Sequence, residues 1–240
     1  MKVLITGGSG ALGRSLKEAF GGAYMPSSRE MDVTDRELTR KKILEYRPDM
    51  LMHAAALVNI PKCEQEKKYA WNVNVEGVQN VVNALKELDN GCYLIYMSTA
   101  CVFAGEKEKY YIEDDPACPA NYYGFTKLCG EIVTRQYPNT LIIRTNFAAR
   151  GKWKHPKAFV DRFGTYLFTD QVVSAMKELI SLKKTGLFHV VGDKRISMHE
   201  LATLGGDTEV GKISLKEYNG PHVTVDMSMS TVRWKKYRIA

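Results

Sequence analysis

The stretch KVLITGGSGALGRSL, residues 2–16, decides the fold. A short apolar run, Lys2–Thr6, has the composition of a buried strand and leads directly into glycines, and helical spacing follows from about Ala11 to Phe20. Glycine in such a turn lets the backbone bend sharply and approach a pyrophosphate, while the N-terminus of the next helix supplies amide donors. The order strand, glycine-rich turn, helix therefore favours a dinucleotide-binding unit over an ordinary turn.

The glycines fit two versions of this motif. Gly7, Gly10 and Gly13 follow one another at intervals of three, and Gly8-x-Gly10-x-x-Gly13 is the second version. A glycine trio by itself is a weak signal, because glycine-rich turns are common. Its position directly between the first strand and the first helix makes it specific.

Strands and helices alternate along the first 145 residues. The predicted strands are Lys2–Thr6, Ala23–Pro26, Met50–Ala55, Cys92–Ser98 and Thr140–Thr145, and the further predicted helices are Asp35–Tyr46, Gln65–Leu88 and Tyr123–Tyr137. Nearly all-apolar strands in this order predict a parallel sheet covered on both faces, with ligands at the carboxyl ends of its strands. After residue 150 the pattern loosens into a helix at Asp170–Leu182, a strand at Leu187–Val191 and a short helix at Ser197–Leu204. We therefore expect a dinucleotide-binding domain over residues 1–150 and a small lobe over 151–240.

Composition and charge exclude several classes of protein. The chain has 240 residues, 45% of them apolar and 25% charged, which is a globular composition. No apolar run approaches the roughly 18 residues of a membrane span, and the MKVLITGG start reaches glycines too early for a signal peptide. The net charge of +7 suits a polyanionic small ligand, and the basic residues form no recognisable nucleic-acid module. We expect neither a nucleic-acid nor a membrane partner.

The cysteines and histidines show no metal-binding pattern. The five cysteines are odd in number and form no C-x-x-C pair, and the histidines have no partners at metal-ligand spacing. The sequence thus predicts reduced thiols, a cytoplasmic protein and no metal site.

The residues after the second predicted strand bear on the cofactor. Sites for NAD usually place a carboxylate on the ribose 2′-hydroxyl about 20 residues past the glycines. Here the strand ends in Pro26-Ser27-Ser28-Arg29, and an arginine beside serines suits the 2′-phosphate of NADP. Asp32 is an alternative ribose ligand, and Arg29 could simply face solvent. NADP(H) is favoured and NAD(H) stays open.

A tyrosine and a lysine four residues apart form the candidate catalytic pair. The helix that begins in NYYGFTKLCGE places Tyr123 and Lys127 on one face, and Thr99 ends the preceding strand in YMSTACVFAG. A free tyrosine has a pKa of about 10, and a nearby ammonium group is expected to lower it. The pair alone occurs often by chance on protein surfaces, but behind a glycine loop and a Ser-Thr strand end it points to acid–base chemistry.

The chain resembles the extended short-chain dehydrogenases/reductases, and among them the dTDP-4-dehydrorhamnose reductase group. The matching segments are TGGSGALG, REMDVTD, HAAALV, WNVNVEGVQNVV, STACVFAG, YGFTKLCGE, LIIRTNFAARG and GLFHVVGDKRISMHELA, in unbroken order over most of residues 1–204. This resemblance implies a Rossmann-type doubly wound parallel sheet with a small C-terminal substrate lobe. It also implies a homodimer formed through the Gln65–Leu88 and Tyr123–Tyr137 helices.

The same resemblance assigns roles to individual residues. It implies that Thr99, Tyr123 and Lys127 are catalytic and that Phe147 faces the sugar. The implied cofactor-binding residues are Gly7, Ser9, Gly10, Ala11, Leu12, Gly13, Arg29, Asp32, Val33, Ala55, Ala56 and Leu57, together with Tyr123 and Lys127. The implied activity is an NADP(H)-dependent reduction of a 4-keto-6-deoxy sugar on a nucleoside diphosphate. An NAD-dependent nucleotide-sugar 4-epimerase and a non-catalytic dinucleotide-binding subunit are the alternatives.

Two departures from the group bear on the substrate. Ala100 and Cys101 follow Thr99 where the group typically has aspartate and tyrosine, and the segment Lys152–Gly164 is short. The basic residues just past the fifth strand, above all Arg150 and Lys152, are candidates for the substrate's diphosphate. Taken singly, each could equally be a solvated loop charge.

Overall fold

The computed structural model describes residues 1–106 and 110–240. The strands are β1 (Val3–Thr6), β2 (Met50–His53), β3 (Tyr93–Thr99), β4 (Thr140–Thr145), β5 (Phe147–Ala148), β6 (Lys157–Phe159), β7 (Phe163–Gly164), β8 (Leu167–Phe168), β9 (Gly186–His189), β10 (Ile196–Ser197), β11 (Gly211–Ile213) and β12 (Asp226–Met227). The α-helices are α1 (Ala11–Ala19), α2 (Arg36–Tyr46), α3 (Ile60–Gln65), α4 (Lys67–Trp71), α5 (Gly77–Leu88), α6 (Tyr122–Thr134), α7 (Thr169–Ser181) and α8 (Met198–Leu204).

Five parallel strands form the main sheet in the order β1-β2-β3-β4-β9. One face packs against α1 and α7, through residues such as Leu16 and Met176. The other face packs against α2 and α5, through residues such as Ile43 and Val82. Because both faces are covered, the strands are almost wholly apolar and buried. The predicted doubly wound parallel sheet is confirmed.

The second predicted strand is reduced to one residue. Tyr24 pairs with β1 at an isolated bridge, donating from its N–H to the Val3 carbonyl at 2.8 Å and accepting from the Ile5 N–H at 2.9 Å. The pairing stops at Pro26, which has no N–H to contribute to a ladder. Ala23–Pro26 therefore extends the sheet beyond β1 by a single contact instead of a full strand.

The long helix predicted over Gln65–Leu88 is interrupted. Glu66 leaves helical geometry with φ −115° and ψ 55°, so α4 begins only at Lys67. The chain then makes a π-helical turn at Asn72–Glu76 before α5. Such turns occur often at functional sites, where one extra residue re-aims a side chain.

The chain beyond residue 150 is shared between the main sheet and a smaller lobe. α7 packs on α1, where Ser15 Oγ donates to Thr169 Oγ1 at 2.9 Å, and β9 extends the main sheet beside β4. The other strands of the described residues form three small sheets, β10-β7-β12, β11-β6 and β5-β8. The smaller lobe is thus built mainly from the segments before α7 and after β9.

Candidate active site

The turn between β1 and α1 has room for glycine alone at two positions. Gly7 has φ +77°, and a Cβ there would lie 2.6 Å from the backbone carbon of Ala54. A Cβ on Gly13 would lie 2.4 Å from the Gly8 carbonyl oxygen. Gly10 is the N-cap of α1 and has more space. Glycines 7 and 13 therefore let the turn pack tightly against β2 and against itself.

A cleft of about 940 Å³ opens beside this turn; we call it the glycine-loop cleft. Its lining includes seven of the predicted cofactor residues: Gly7, Ser9, Arg29, Asp32, Val33, Ala55 and Ala56. Gly10, Ala11, Leu12 and Gly13 form the start of α1, which faces the turn with its amide groups. The structure thus brings together most of the residues predicted to bind a dinucleotide.

Arg29 and Asp32 differ in how far they are already engaged. Asp32 Oδ1 accepts from the Thr34 N–H at 2.9 Å and from the Thr34 hydroxyl at 2.8 Å. Arg29 is exposed and makes no hydrogen bond or ion pair with any other described residue. Among the described residues, the guanidinium of Arg29 is therefore free to bind a ligand at this end of the cleft.

The cleft fits a nicotinamide dinucleotide. The turn leaves its backbone uncovered, because a side chain at residue 7 or 13 would collide with neighbouring main chain. Nine residues of helix follow, and the N-cap glycine of α1 offers no side-chain oxygen of its own to the first amides. This donor set is suited to a pyrophosphate, so the glycine loop and α1 would hold that group.

Thr99, Tyr123 and Lys127 lie at the carboxyl end of β3 and in the first two turns of α6. Asn121 caps α6 by accepting from the Gly124 N–H at 2.9 Å. A Cβ on Gly124 would lie 2.0 Å from the Cys101 carbonyl oxygen, so the helix start lies directly against the chain that follows β3. All three side chains are buried, with 6%, 9% and 3% of their surfaces exposed, respectively.

Burial sets the protonation of the tyrosine and the lysine. Burial raises the pKa of Tyr123 well above its usual value; the Cys101 thiol adds to the rise and an interaction with the Thr99 side chain opposes it. Burial also lowers the pKa of Lys127 to about 7, with the Glu131 carboxylate acting in the opposite direction. The expectation that Lys127 lowers the pKa of Tyr123 is corrected here. The Lys127 ammonium lies over the Tyr96 ring, 4.1 Å from its centroid, and burial dominates at Tyr123.

Asn74, in the π-helical turn, is a site residue that the sequence reasoning did not single out. Its Oδ1 accepts from the Leu57 N–H at 2.8 Å, and its Nδ2 donates to the Leu57 carbonyl at 3.0 Å and to Thr126 Oγ1 at 2.9 Å. The residue therefore ties the segment after β2 to the helix that carries Tyr123 and Lys127. The available signal was the pair of asparagines in WNVN, which are unusual on an otherwise apolar helix face.

Glu131, one turn beyond Lys127, anchors α6 to the sheet. Its carboxylate accepts from Arg144 Nε and Nη2 at 2.8 Å each, and from the Ser98 hydroxyl at 2.5 Å. Glu131 and Arg144 are 1% and 3% exposed. This buried pair fixes α6, which carries Tyr123 and Lys127, against β3 and β4.

A second cavity of about 630 Å³, the lobe cavity, lies between the main domain and the smaller lobe. It is lined by residues 58–61 and 153–159 and by Arg162, Met198, Ile213, Tyr218 and Val223. The chain from 55 to 61 thus lines the glycine-loop cleft with its first residues and the lobe cavity with its last. Leu57, between them, packs against the same apolar cluster as Tyr123, and so do Trp153 and Met198.

Arg162 is a buried cation in the wall of the lobe cavity. Its Nε donates to the Thr224 carbonyl at 2.9 Å, and its Nη1 and Nη2 lie 3.5 Å from the sulfur atoms of Met198 and Met227, respectively. Across residues 1–106 and 110–240, no carboxylate pairs with it. A buried charge without a counter-ion is costly unless an anion joins it.

The three remaining predicted substrate residues lie outside the lining of the lobe cavity. Phe147 is half-buried on β5 and packs against the core. Arg150 forms an exposed ion pair with Asp170 at 3.2 Å and donates to the Ala240 carbonyl at 2.7 Å. Lys152 is exposed. The prediction that Arg150 and Lys152 bind a diphosphate stays a prediction.

Residues 1–106 and 110–240 contain neither a candidate membrane span nor a candidate metal site. No helix there is long and apolar enough to cross a membrane. No group of three or more histidine, cysteine or acidic residues in the same ranges could hold a metal ion.

A doubly wound parallel sheet with a glycine loop after β1 and a buried Thr-Tyr-Lys trio at its carboxyl edge defines an NAD(P)-dependent oxidoreductase. Comparison with known proteins narrows this class. The family model described as the RmlD substrate binding domain matches residues 1–208. The chain therefore belongs to the RmlD family of nucleotide-sugar reductases.

Individual relatives agree with this assignment. The dTDP-4-dehydrorhamnose reductase of Burkholderia thailandensis is 31% identical, with 84% of this chain and 76% of that protein covered. The spore coat polysaccharide biosynthesis protein SpsK of Bacillus subtilis is 28% identical, with 90% and 84% covered. The crystal structure of a hypothetical dTDP-4-dehydrorhamnose reductase from Sulfolobus tokodaii is 32% identical with a TM-score of 0.82, covering 95% of this chain and 92% of that one.

Proposed function

We propose that the protein is an NADPH-dependent reductase of a 4-keto-6-deoxy sugar carried on a nucleoside diphosphate. The observation that carries this proposal is the position of the buried trio Thr99, Tyr123 and Lys127. Tyr123 packs in the same apolar cluster as Leu57, and Leu57 lies in the chain between the residues that line the glycine-loop cleft and those that line the lobe cavity. The names of the relatives, which include dTDP-4-dehydrorhamnose reductase, support the substrate class.

Each residue of the trio has a separate role in carbonyl reduction. A bound nicotinamide cofactor supplies the hydride. Tyr123 is held as a neutral phenol by burial and donates its proton to the substrate oxygen as that oxygen becomes an alkoxide. Thr99 hydrogen-bonds the same oxygen and orients it. Lys127 would hold the ribose hydroxyls of the bound cofactor through its ammonium group.

Replacing Tyr123 with phenylalanine tests the assignment. We expect Tyr123→Phe to abolish the reduction of keto-sugar nucleotides while NADPH still binds, as measured by fluorescence titration. Tyr122→Phe, the neighbouring residue on α6, is the matched control and should stay active. A Tyr123→Phe enzyme that kept most of its rate would contradict the mechanism. Tightly held NAD without net consumption of NADPH would instead indicate a 4-epimerase.

For the cofactor, the free guanidinium of Arg29 supports NADPH. Asp32 is already engaged by Thr34, and Arg29 lines the cleft without a partner among the described residues. Arg29→Ala should weaken NADPH binding about ten- to a hundredfold, the value of a lost charge-assisted contact, and leave NADH binding nearly unchanged. Arg36→Ala, which removes the same charge outside the cleft, should affect neither. Equal weakening of both cofactors would give Arg29 a structural role.

For the substrate, the lobe cavity has the chemistry of a nucleoside diphosphate site. Trp153, Phe159 and Tyr218 supply aromatic surfaces for a base, and Arg162 supplies a buried cation for a phosphate. Lys154 and Lys157 add positive charge at the rim. We propose that Arg162, more than Arg150 or Lys152, binds the diphosphate.

The outer face of α4, α5 and α6 supports a homodimer. Phe125 and Ile132 are 43% and 59% exposed, and the Trp71 ring lies 6.3 Å from that of Phe125. Exposed apolar clusters of this kind mark interaction surfaces. A second copy of the chain is the proposed partner, and Ile132→Asp should convert the dimer to a monomer in analytical ultracentrifugation. An unchanged sedimentation coefficient would exclude this face.

The proposed location is the cytoplasm. All five cysteines are free thiols, three of them buried, and burial raises the pKa of Cys63 to about 11 and that of Cys92 to about 12. Reduced thiols and a soluble dinucleotide cofactor fit that compartment. Fractionation of cells that express a tagged chain would test the location.

A further inference from the structure

Lys127 is held in an unusual way for a buried ammonium group. Across residues 1–106 and 110–240, neither a hydrogen bond nor an ion pair joins Lys127 Nζ to another residue. What contacts it is the ring of Tyr96, with Nζ 4.1 Å from the ring centroid. An ammonium group over the face of an aromatic ring is attracted by the ring's quadrupole, most strongly when both are out of water.

Tyr96 is placed for this contact by both elements that it touches. It is fully buried on β3, and its hydroxyl donates to the Lys127 carbonyl at 3.3 Å. A Cβ on Gly130 would lie 2.1 Å from that hydroxyl, so a glycine at this point of α6 makes room for the ring. On β2, His53 stacks against the ring at 6.0 Å between centroids.

The other charged or titratable groups around Lys127 do little to stabilise its charged form. Tyr123 on α6 and Tyr96 on β3 are neutral phenols, because burial raises the pKa of each. His53 on β2 is neutral, because burial lowers its pKa to about 3. Glu131 on α6 carries a negative charge that raises the pKa of Lys127, but Arg144 on β4 binds that carboxylate through two nitrogens.

We propose that Tyr96 is a positioning residue whose ring face holds the Lys127 ammonium group in its charged form. The inference rests on the proposed function only for the consequence that activity follows the charge on Lys127. Since burial brings the pKa of Lys127 to about 7, the loss of a favourable contact would leave the lysine largely neutral at neutral pH.

The test compares two substitutions that differ only in the ring. Tyr96→Leu removes the aromatic face, and Tyr96→Phe, the matched control, keeps the face and loses the hydroxyl. The pKa of Lys127 is read directly in the cofactor-free protein from the ¹³Cε chemical shift of labelled lysine, with Lys127→Arg to assign the signal. We expect the pKa to fall by about one unit or more in Tyr96→Leu, given a desolvated contact of the usual strength, and by less than about 0.3 unit in Tyr96→Phe.

A second variant covers the case in which Tyr96→Leu does not fold. Trifluorophenylalanine at position 96 keeps the shape of phenylalanine and weakens the quadrupole, so the pKa should fall below that of Tyr96→Phe. An unchanged pKa in the fluorinated protein, or in a folded Tyr96→Leu, would overturn the inference. The alkaline limb of kcat/KM against pH should move down by the same amount. If the pKa moved and this limb did not, Tyr96 would still position Lys127, and the proposed role of Lys127 in catalysis would fail.

Discussion

The glycine-loop cleft and the lobe cavity are both lined by parts of the segment 55–61, but they differ in the kind of group that forms them. The cleft depends on main chain: residues 7 and 13 leave no space for a Cβ, and α1 offers its first amides. The lobe cavity depends on side chains, with aromatic rings and the buried Arg162. A site formed by backbone is disturbed by any added side-chain atom. In a site formed by side chains, single substitutions can change the specificity.

The largest expected effect is on the backbone-built cleft. Gly13→Ala places a Cβ 2.4 Å from the Gly8 carbonyl oxygen, and the turn must shift to relieve the contact. We expect the free energy of unfolding to fall by about 3 kcal/mol, the upper range for overpacking, and NADPH binding to be lost with the turn geometry. Urea denaturation and cofactor titration measure the two effects.

Gly10→Ala is the control for this change. A Cβ there meets only the Gly7 carbonyl, at 3.4 Å, and the φ of −72° suits any residue. We expect a cost of about 1 kcal/mol or less, from the poorer N-cap. If the two alanine variants were equally stable and bound NADPH equally well, the cleft would not depend on close backbone packing.

The next effect concerns the side-chain-built cavity. Arg162→Met removes the buried cation and keeps much of its apolar volume, so we expect KM for the sugar nucleotide to rise about ten- to a hundredfold with the Kd for NADPH unchanged. Arg195→Met is the matched control, because Arg195 is a surface arginine paired with Asp226 at 2.7 Å. A KM that stayed constant in Arg162→Met would move the diphosphate elsewhere.

A smaller effect is expected in the pH dependence of stability, and it comes from His53 at the end of β2. His53 is bonded through Nδ1 to the Thr6 hydroxyl at 2.9 Å, and burial lowers its pKa to about 3 from an ordinary 6.5. Between these values the unfolded chain binds a proton that the folded chain refuses, so the unfolding free energy falls as the pH drops below 6.5.

Urea denaturation at pH 6.5 and pH 5 measures this contribution. The wild type should lose about 1.5 kcal/mol more than His53→Asn over that interval, from the linkage slope of about 1.4 kcal/mol per pH unit. Equal losses of unfolding free energy in the wild type and in His53→Asn would show that His53 is protonated in the folded state as well.

The smallest effect is expected at Arg150 and Lys152. The ion pair of Arg150 with Asp170 is exposed, and such pairs contribute about 0–1 kcal/mol. The double alanine variant should therefore lose little stability and change KM for the sugar nucleotide less than about threefold. A tenfold rise in KM that became smaller in added salt would indicate that Arg150 and Lys152 bind the diphosphate.

The contrast between the two sites also explains what the sequence could predict. The glycine loop, the apolar strands and the four-residue spacing of Tyr123 and Lys127 are local patterns, and local patterns are visible in sequence. The contact of Lys127 with Tyr96 joins residues 31 positions apart, and Arg162 reaches the cavity only through the packing of the small lobe. The pKa of Tyr123 was expected in the wrong direction because spacing reports proximity and says nothing of burial.

The spacing of the residues on α6 has a consequence for how this sequence can change over evolution. Tyr123, Lys127 and Glu131 occupy successive turns of one helix face, and Asn121 fixes where that helix begins. The chain before Asn121 can gain or lose residues without rotating the helix. One residue inserted between Tyr123 and Glu131 would turn everything after it by about 100°, carrying the buried carboxylate away from Arg144. Lineages of this protein should therefore vary in length before the cap and keep the nine residues from 123 to 131 free of gaps.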